Sequence, residues 1–183
     1  MKKYLITSPE FYTNIPEIFA KKLEEQLQKH QPDFVLLRDK QTSDYHSLAV
    51  VFMQVLQKYP NSKAFIHEDV SLAHALNAHG VHLTGNSFHK IKEAKQKNLE
   101  VVVSTHTKEE VMKVEKEGAD YVSYSPIFDT PNKGKSKGVD DLKELLSLTN
   151  INVFALGGIV NDKEVILINE TKVYGFASIR YFS

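Results

Sequence analysis

The sequence predicts a compact (β/α)8 barrel, an α/β fold in which eight parallel strands alternate with helices. Short apolar runs alternate along the chain with stretches that are apolar on one helical face, and eight such units can be counted. The runs are continuously apolar, which is typical of strands covered on both sides. The chain has 183 residues, whereas about 250 is typical of this barrel. We therefore expect one domain over residues 1–183, short loops, and an eighth helix that is missing or rudimentary.

The first half of the chain predicts four strands and the helices between them. The strands are expected at residues 4–7, 34–37, 64–66 and 80–83. The first helix begins in the segment 14–17, where Pro16 is tolerated in the first turn. The third predicted helix is short and spans 72–78. Apolar residues at helical spacing mark the other three: Phe19, Leu23 and Leu27 in the first; Leu48, Val51, Phe52, Val55 and Leu56 in the second; and Phe88, Ile91 and Ala94 in the fourth.

The second half predicts the remaining strands at residues 101–103, 121–124, 153–156 and 173–179. Thr107 and Glu110 match the capping-box pattern at a helix start, and Gly118 is a plausible end of that helix. Asn161 is expected to cap the last helix. The apolar positions of the last two helices are Leu142, Leu145 and Leu146, and Val165, Ile166 and Ile168.

Composition excludes several classes of function. Lys plus Arg number 23 and Asp plus Glu number 23, so no net charge attracts nucleic acid or an anionic membrane. The chain has no cysteine, which excludes disulfides, thiolate zinc sites and cysteine nucleophiles. The apolar run 4–6 is too short for a signal peptide, and no run is long enough to span a membrane. We expect a cytoplasmic protein with neither nucleic acid nor membrane as partner.

Ligands of a parallel barrel bind where the strands end at their carboxyl side. Polar residues follow most of the predicted strands at that end, among them Arg38, His67 and Ser104. Gly157 and Gly158 follow the seventh strand, where a glycine backbone can approach an anion closely. This suggests a phosphate site, although turn statistics alone favour a simple tight turn as the explanation of the two glycines.

Six segments in this order carry a resemblance to a known family. They are VLLRDK at 35–40, GVHL at 80–83, STHT at 104–107, GADYV at 118–122, PIFDTPNK at 126–133 and ALGGI at 155–159. Together they resemble the thiamine-phosphate synthase and thiazole tautomerase family, from the first strand to the C-terminus. The resemblance implies a (β/α)8 barrel of thiamine biosynthesis whose partner is a small phosphorylated thiazole or pyrimidine ligand.

The family pattern also implies roles for individual residues. In the synthases, a pyrimidine carbocation forms as magnesium-bound diphosphate leaves, and a thiazole nitrogen attacks it. Arg38 and Lys40 would meet the carboxylate or phosphate of the ligand. The other residues expected at the phosphate are Thr130, Lys133, Gly157, Gly158, Ile179 and Arg180.

The sequence departs from the synthase pattern at the metal site. His67-Glu68 stands where the synthases have Asn-Asp, Ser87 where they have the second magnesium Asp, Leu36 where they have Gln, and Arg180 where they have Ser. Glu68 could still ligate Mg²⁺ through its longer side chain, but the second carboxylate is lost.

These departures favour the tautomerase, which moves a proton on a thiazole carboxylate phosphate and needs no cofactor. His106 is the expected general base and Ser104 shares its strand parity. Two alternatives remain open. One is the synthase with Mg²⁺, which couples hydroxymethylpyrimidine diphosphate with thiazole phosphate. The other is a barrel that binds such a ligand without catalysis, as a regulatory module.

Simpler explanations exist for the same residues. Arg38 and Lys40 could form a buried ion pair with Glu68, His106 could satisfy local backbone, and His82 is expected to be a hydrogen-bonded core histidine. A metal cluster of His67, Glu68, His82 and His106 is a further alternative. Without an eighth helix, part of the barrel surface would be exposed. A second copy of the chain could cover this surface, which predicts a homodimer.

Overall fold

The computed structural model describes residues 1–183 and contains a closed barrel of eight parallel strands in chain order. This confirms the predicted (β/α)8 fold. The strands are β1 Lys2–Ile6, β2 Phe34–Leu37, β3 Lys63–His67, β4 Gly80–Leu83, β5 Glu100–Thr105, β6 Tyr121–Tyr124, β7 Asn152–Leu156 and β8 Gly175–Ser178.

Eight α-helices surround the barrel. They are α1 Pro9–Tyr12, α2 Pro16–His30, α3 Tyr45–Leu56, α4 Val70–Ala75, α5 Ile91–Gln96, α6 Lys108–Lys116, α7 Gly138–Leu148 and α8 Asp162–Asn169. Two 3-10 segments, Gly85–Lys90 and Arg180–Phe182, complete the structure. None of the helices combines the length and the apolar character that crossing a membrane requires.

The core has two parts, because successive side chains of a strand point to opposite faces of the sheet. A large cluster of 39 residues lies between the sheet and the helices. A cluster of nine fills the barrel interior and is rich in aromatic rings, including Tyr4, Phe34, Phe65 and Phe154. The rings of Tyr4 and Phe154 lie 5.0 Å apart at their centroids. This apolar filling closes the lower part of the barrel and leaves the polar residues at the carboxyl ends of the strands.

The caps predicted for the last helices are confirmed. The Thr107 side chain accepts from the backbone amide of Glu110, whose carboxylate reaches back to the cap amide, so α6 begins with a complete capping box. Asn161 forms the same arrangement with Glu164 at the start of α8. Gly118 follows α6 with a φ of 92°, a conformation that suits glycine.

The structure differs from the sequence prediction mainly near the site. The predicted strand 173–179 is shortened to Gly175–Ser178, because Ile179 takes a helical conformation that leads into the final 3-10 segment. The helix expected after β4 starts as a 3-10 segment. Helix α1 was not predicted. After β8, residues Arg180–Phe182 form a 3-10 turn.

Candidate functional site

Two adjoining cavities open at the carboxyl end of the barrel. The inner cavity has a volume of about 440 Å³ and lies over the barrel interior. The outer cavity, of about 670 Å³, lies beside it against the segment that follows β1. Five residues line both cavities and so form the neck between them: Arg38, Thr130, Leu156, Gly157 and Ile179.

The loop after β7 forms one side of this neck. Gly157 and Gly158 have φ values of 99° and 69°. A Cβ on Gly157 would lie 2.8 Å from Cα of Pro126, and one on Gly158 would lie 2.7 Å from the carbonyl oxygen of Asp129. The backbone amides of Gly157, Gly158 and Ile179 donate no hydrogen bond within the protein. Successive unpaired amides in such turns form a concave site for an anion, which is the geometry expected of a phosphate cradle.

Cationic side chains surround the neck. Arg38 is half-buried, and its guanidinium has no hydrogen-bond or ion-pair partner in the protein. Burial lowers the pKa of Arg38. Lys40 and Lys133 line the inner cavity, and Arg180 lines the outer one. Although the protein has no net charge, the entrance to the two cavities is therefore positively charged. An anionic ligand would provide the ion-pair partners that these side chains lack.

The carboxylate of Glu68 does not neutralise these cationic side chains. Its carboxylate accepts hydrogen bonds from the backbone amide of Thr84 and, at 2.5 Å, from the hydroxyl of Ser87. Its only ion pair is with Lys90, at 3.9 Å, so the alternative of an ion pair with Arg38 or Lys40 is wrong. Glu68 lines neither cavity.

These contacts decide whether the residues fit the magnesium ion that the family resemblance implies. Both oxygens of Glu68 are already bound by the loop after β4, and Ser87 donates to that carboxylate instead of offering a second one. No group of three or more His, Cys, Asp or Glu side chains could hold a metal ion. The residues present do not fit a carboxylate-held magnesium, and the alternative of a cluster that includes His67, His82 and His106 is wrong as well.

His106 follows β5 and lines the inner cavity. Its backbone amide donates to Glu110 at 2.6 Å, so the capping box of α6 also holds this residue. Ring atom Nδ1 lies 3.1 Å from the carbonyl oxygen of Ser125. The hydroxyl of Ser125 lies 3.3 Å from the same atom. In the neutral tautomer with its proton on Nδ1, the ring donates to the carbonyl, and the lone pair of Nε2 is left free. This arrangement suits a base or a hydrogen-bond acceptor.

A second histidine, His67, also lines the inner cavity, and its ring has no hydrogen-bond partner. Burial lowers the pKa of His67 to about 4, and the nearby Arg38 and Lys40 act in the same direction, against the carboxylate of Glu68. The ring is therefore neutral at pH 7. Sequence reasoning placed His67 only in a metal cluster, because its isolation beside two cations depends on side-chain directions that strand order does not give.

A buried polar chain lies below these residues. His82 bonds to the hydroxyl of Tyr4 at 2.9 Å and to the hydroxyl of Ser104 at 2.8 Å, which confirms it as a hydrogen-bonded core histidine. Ser104 lines the inner cavity, as its shared parity with His106 predicts. Tyr4 was missed as part of the site. The usable signal is its position on β1, two residues before Ile6, which itself reaches the inner cavity.

The structure brings most of the predicted residues together. The inner cavity is lined by Arg38, Lys40, Ser104, His106, Thr130, Lys133, Gly157 and Ile179. Gly158 and Arg180 lie in the outer cavity. Among the predicted residues, only Glu68 lies outside both cavities.

Comparison with known proteins places this geometry in a family. The chain is 35% identical to a protein of Aquifex aeolicus named provisionally as a second thiamine-phosphate synthase, over 98% of this chain and 96% of that protein. It is 31% identical to the thiamine-phosphate synthase of Pediococcus pentosaceus, over 100% and 88% of the two chains. The solved thiamine phosphate pyrophosphorylase of Pyrococcus furiosus superposes with a TM-score of 0.84 at 26% identity, over 97% of this chain and 85% of that one.

The family model for thiamine monophosphate synthase matches residues 3–182, which includes every strand from β2 to β8, both cavities and the loop after β7. The six sequence segments, the barrel and the relatives agree over almost the whole chain, so the chain belongs to the thiamine monophosphate synthase family.

Proposed function

We propose that the protein acts as a thiamine-phosphate synthase, which joins hydroxymethylpyrimidine diphosphate to thiazole phosphate. In this reaction the bond from the pyrimidine methylene carbon to the diphosphate oxygen breaks, and a bond from that carbon to the thiazole nitrogen forms. The relatives with printed functions are named for this activity. The tautomerase expected from the departures at Glu68 and Ser87 has no such support among them.

One observation carries the proposal: the neck has unpaired backbone amides and the inner cavity has unpaired cationic side chains, so the site offers two places for anionic groups. A coupling reaction has to hold two phosphorylated substrates at once, whereas a tautomerase holds one. The unpaired amides of Gly157, Gly158 and Ile179 would hold the phosphate of the thiazole. The thiazole ring then extends into the inner cavity, towards Ser104 and His106.

The cations of this chain would bind the diphosphate. Arg38, Lys40 and Lys133 all line the inner cavity, and none of them is paired with a carboxylate. A positioned guanidinium or ammonium stabilises the charge that develops on a leaving diphosphate. Because the carboxylate of Glu68 is bound within the protein, we assign no step of the coupling to a protein-held metal.

A coupling assay tests the proposal. The purified protein is incubated with both substrates, with and without Mg²⁺, and thiamine phosphate and pyrophosphate are measured together. We expect equal amounts of the two products, formation that depends on Arg38, and none from either substrate alone. Arg38→Ala is the test variant, and Lys92→Ala, at an exposed position of α5 without an ion pair, is the matched control.

Proton transfer on a thiazole carboxylate phosphate is the second candidate, and one observation favours it. The free Nε2 of His106 faces the inner cavity while Nδ1 is held by Ser125, which is the tautomer a general base requires. The same protein preparation is tested with this substrate. Turnover of the carboxylate without any coupling would overturn the synthase proposal. Calorimetric binding of thiazole phosphate with no turnover of either substrate set would favour the non-catalytic barrel instead.

A further inference from the structure

Four side chains form a continuous hydrogen-bonded chain from the barrel interior to the inner cavity. The hydroxyl of Tyr4 lies 2.9 Å from Nδ1 of His82, and Nε2 of His82 lies 2.8 Å from Oγ of Ser104. Ser123 donates to Oγ of Ser104 at 3.4 Å. Tyr4 and Ser123 are fully buried and line neither cavity, whereas His82, which is 3% exposed, and Ser104 both line the inner cavity.

The protons of this chain can be placed by counting donors and acceptors. The phenolic proton of Tyr4 has one acceptor within reach, Nδ1 of His82. If Nδ1 carried the ring proton, the buried phenolic proton would have no acceptor, which costs about 1–3 kcal/mol. With the proton on Nε2, Tyr4 donates to Nδ1, and Nε2 donates to Ser104. Every buried proton is then satisfied.

The charge state of His82 is consistent with this assignment. Burial lowers the pKa of His82 to about 3, and the positive charge of Arg38 acts in the same direction, against the carboxylate of Glu68. The ring is neutral at pH 7 and carries one proton. It therefore has one donor and one acceptor, and both are used.

The consequence lies at Ser104. The hydroxyl of the fully buried Ser123 has Ser104 as its one hydrogen-bond partner, so Ser123 is satisfied when it donates to Ser104. The oxygen of Ser104 then accepts from both His82 and Ser123, and its own proton is left for a ligand in the cavity. We propose that Tyr4 and His82 are positioning residues that make Ser104 a hydrogen-bond donor to the substrate. This proposal rests on the proposed function for the identity of the substrate, in which Ser104 would recognise an acceptor atom, a ring nitrogen or an anionic oxygen.

The tautomer is measured directly, without any activity. Nitrogen-15 NMR of the imidazole rings should show His82 with a protonated Nε2 and an unprotonated Nδ1, unchanged between pH 5 and 8. Tyr4→Phe should shift the Nδ1 resonance. A protonated Nδ1 in the wild-type protein would overturn the proposal even if the coupling assay succeeds. Conversely, a failed coupling assay with the expected tautomer would overturn only the proposed function.

A double-mutant cycle then tests whether Tyr4 acts through Ser104. Ser104→Ala should lower kcat/KM roughly tenfold, the loss expected for one hydrogen bond to the substrate. Tyr4→Phe should lower kcat/KM in the wild-type background but cause no further loss in the Ser104→Ala background. Additive losses would indicate a purely structural role and overturn the proposal.

Tyr12→Phe is the matched control for Tyr4→Phe. Tyr12 is also a buried tyrosine with one hydroxyl partner, the carbonyl of Phe182 at 2.6 Å, and it has no connection to Ser104. This variant should lower the midpoint of thermal unfolding and leave kcat/KM unchanged.

Discussion

At the residue scale, Arg38 is the clearest indicator of an anionic ligand. A guanidinium that is half-buried and has no partner is unfavourable in the protein alone, because burial penalises its charge. Such a group is retained where a ligand supplies the opposite charge. Its position at the neck, between the inner and outer cavities, is where the phosphate is proposed to bind.

Replacing Arg38 should therefore weaken the binding of an anionic ligand without lowering the stability of the protein. We expect Arg38→Ala to weaken the binding of inorganic pyrophosphate at least tenfold, about 1.4 kcal/mol, measured by titration calorimetry. Its midpoint of thermal unfolding should stay the same or rise, because no contact within the protein is lost. Lys92→Ala should change neither quantity. A large loss of stability in Arg38→Ala would contradict the assignment of this side chain to a ligand.

Glu68 illustrates the opposite case, a charge that is satisfied within the protein. Burial acts to raise the pKa of this carboxyl, but the hydrogen bonds from Ser87 and Thr84 outweigh it, and the pKa is lowered overall. A lowered pKa means that the carboxylate contributes stability above its ordinary value of 4.5, and that this contribution is lost as the pH falls through the lowered value.

Glu68→Gln should accordingly destabilise the protein by about 1–3 kcal/mol at pH 7. In urea unfolding at a series of pH values, the difference from the wild type should begin to shrink below pH 4.5, where the carboxyl of the unfolded chain becomes protonated, and should be lost below the lowered pKa of the native state. Glu25→Gln, at an exposed position of α2, serves as the control and should show little effect at any pH. A difference that stays constant with pH would show that the charge of Glu68 contributes nothing.

Arg38 and Glu68 also show how much of the site can be predicted from the sequence at the scale of single residues. The strand ends predicted that Arg38, Ser104, His106 and Gly157 meet at one site, because the carboxyl ends of parallel strands lie at one end of the barrel. The direction of Glu68 could not be predicted. It depends on a φ of 63° at this residue and on the hydroxyl of Ser87, which turn the carboxylate to the loop after β4.

At the element scale, the strands and caps follow from the sequence more closely than the loops do. The strands β2, β4 and β6 have the predicted bounds, because a strand inside a closed sheet is buried on both faces and reads as a short apolar run. The capping boxes at Thr107 and Asn161 are local interactions, so the sequence contains them in full. Helix α1 has four residues, too few for an apolar period to be visible.

The loop after β7 is the element on which the proposed phosphate site depends. Gly157→Ala introduces a Cβ 2.8 Å from Cα of Pro126 at a residue with a φ of 99°. We expect it to cost about 1–3 kcal/mol of stability and to abolish the binding of inorganic phosphate, because the loops after β6 and β7 have to separate. Urea unfolding and calorimetry measure the two effects.

Gly134 provides the matched control for this change. A Cβ at Gly134 would meet nothing within 4 Å, and its φ is not positive. Gly134→Ala should retain phosphate binding and stability within about 0.5 kcal/mol. If Gly157→Ala behaves in the same way, the glycines form only a tight turn, which is the simpler explanation of the sequence.

At the scale of the whole molecule, a net charge of zero and a basic site coexist. Several carboxylates form ion pairs with lysines away from the site, such as Glu24 with Lys58 and Asp120 with Lys95. Arg38, Lys40 and Lys133 stay unpaired at the mouth of the inner cavity. The net charge of the whole chain therefore does not reveal that the site itself is basic. The expected homodimer stays a prediction.

The closure of the barrel between β8 and β1 depends on the residues that follow β8. Phe182 is fully buried, stacks on Phe176 with ring centroids 5.7 Å apart, and meets the edge of His30 at 5.2 Å. Its carbonyl oxygen accepts the hydrogen bond from Tyr12. One aromatic side chain thus packs on the outer face of the sheet, where other units of the fold place a helix.

Phe182→Ala should therefore destabilise the whole barrel. We expect a loss of about 3–5 kcal/mol, the usual cost of removing a buried phenyl ring, seen in urea unfolding as a lower midpoint with an unchanged slope. Leu148→Ala, at a side chain that is 51% exposed, should change the midpoint little. If Phe182→Ala instead loses less than about 1 kcal/mol, the ring only covers a surface that water can also cover. The closure would then depend on the strand pairing of β8 with β1 alone.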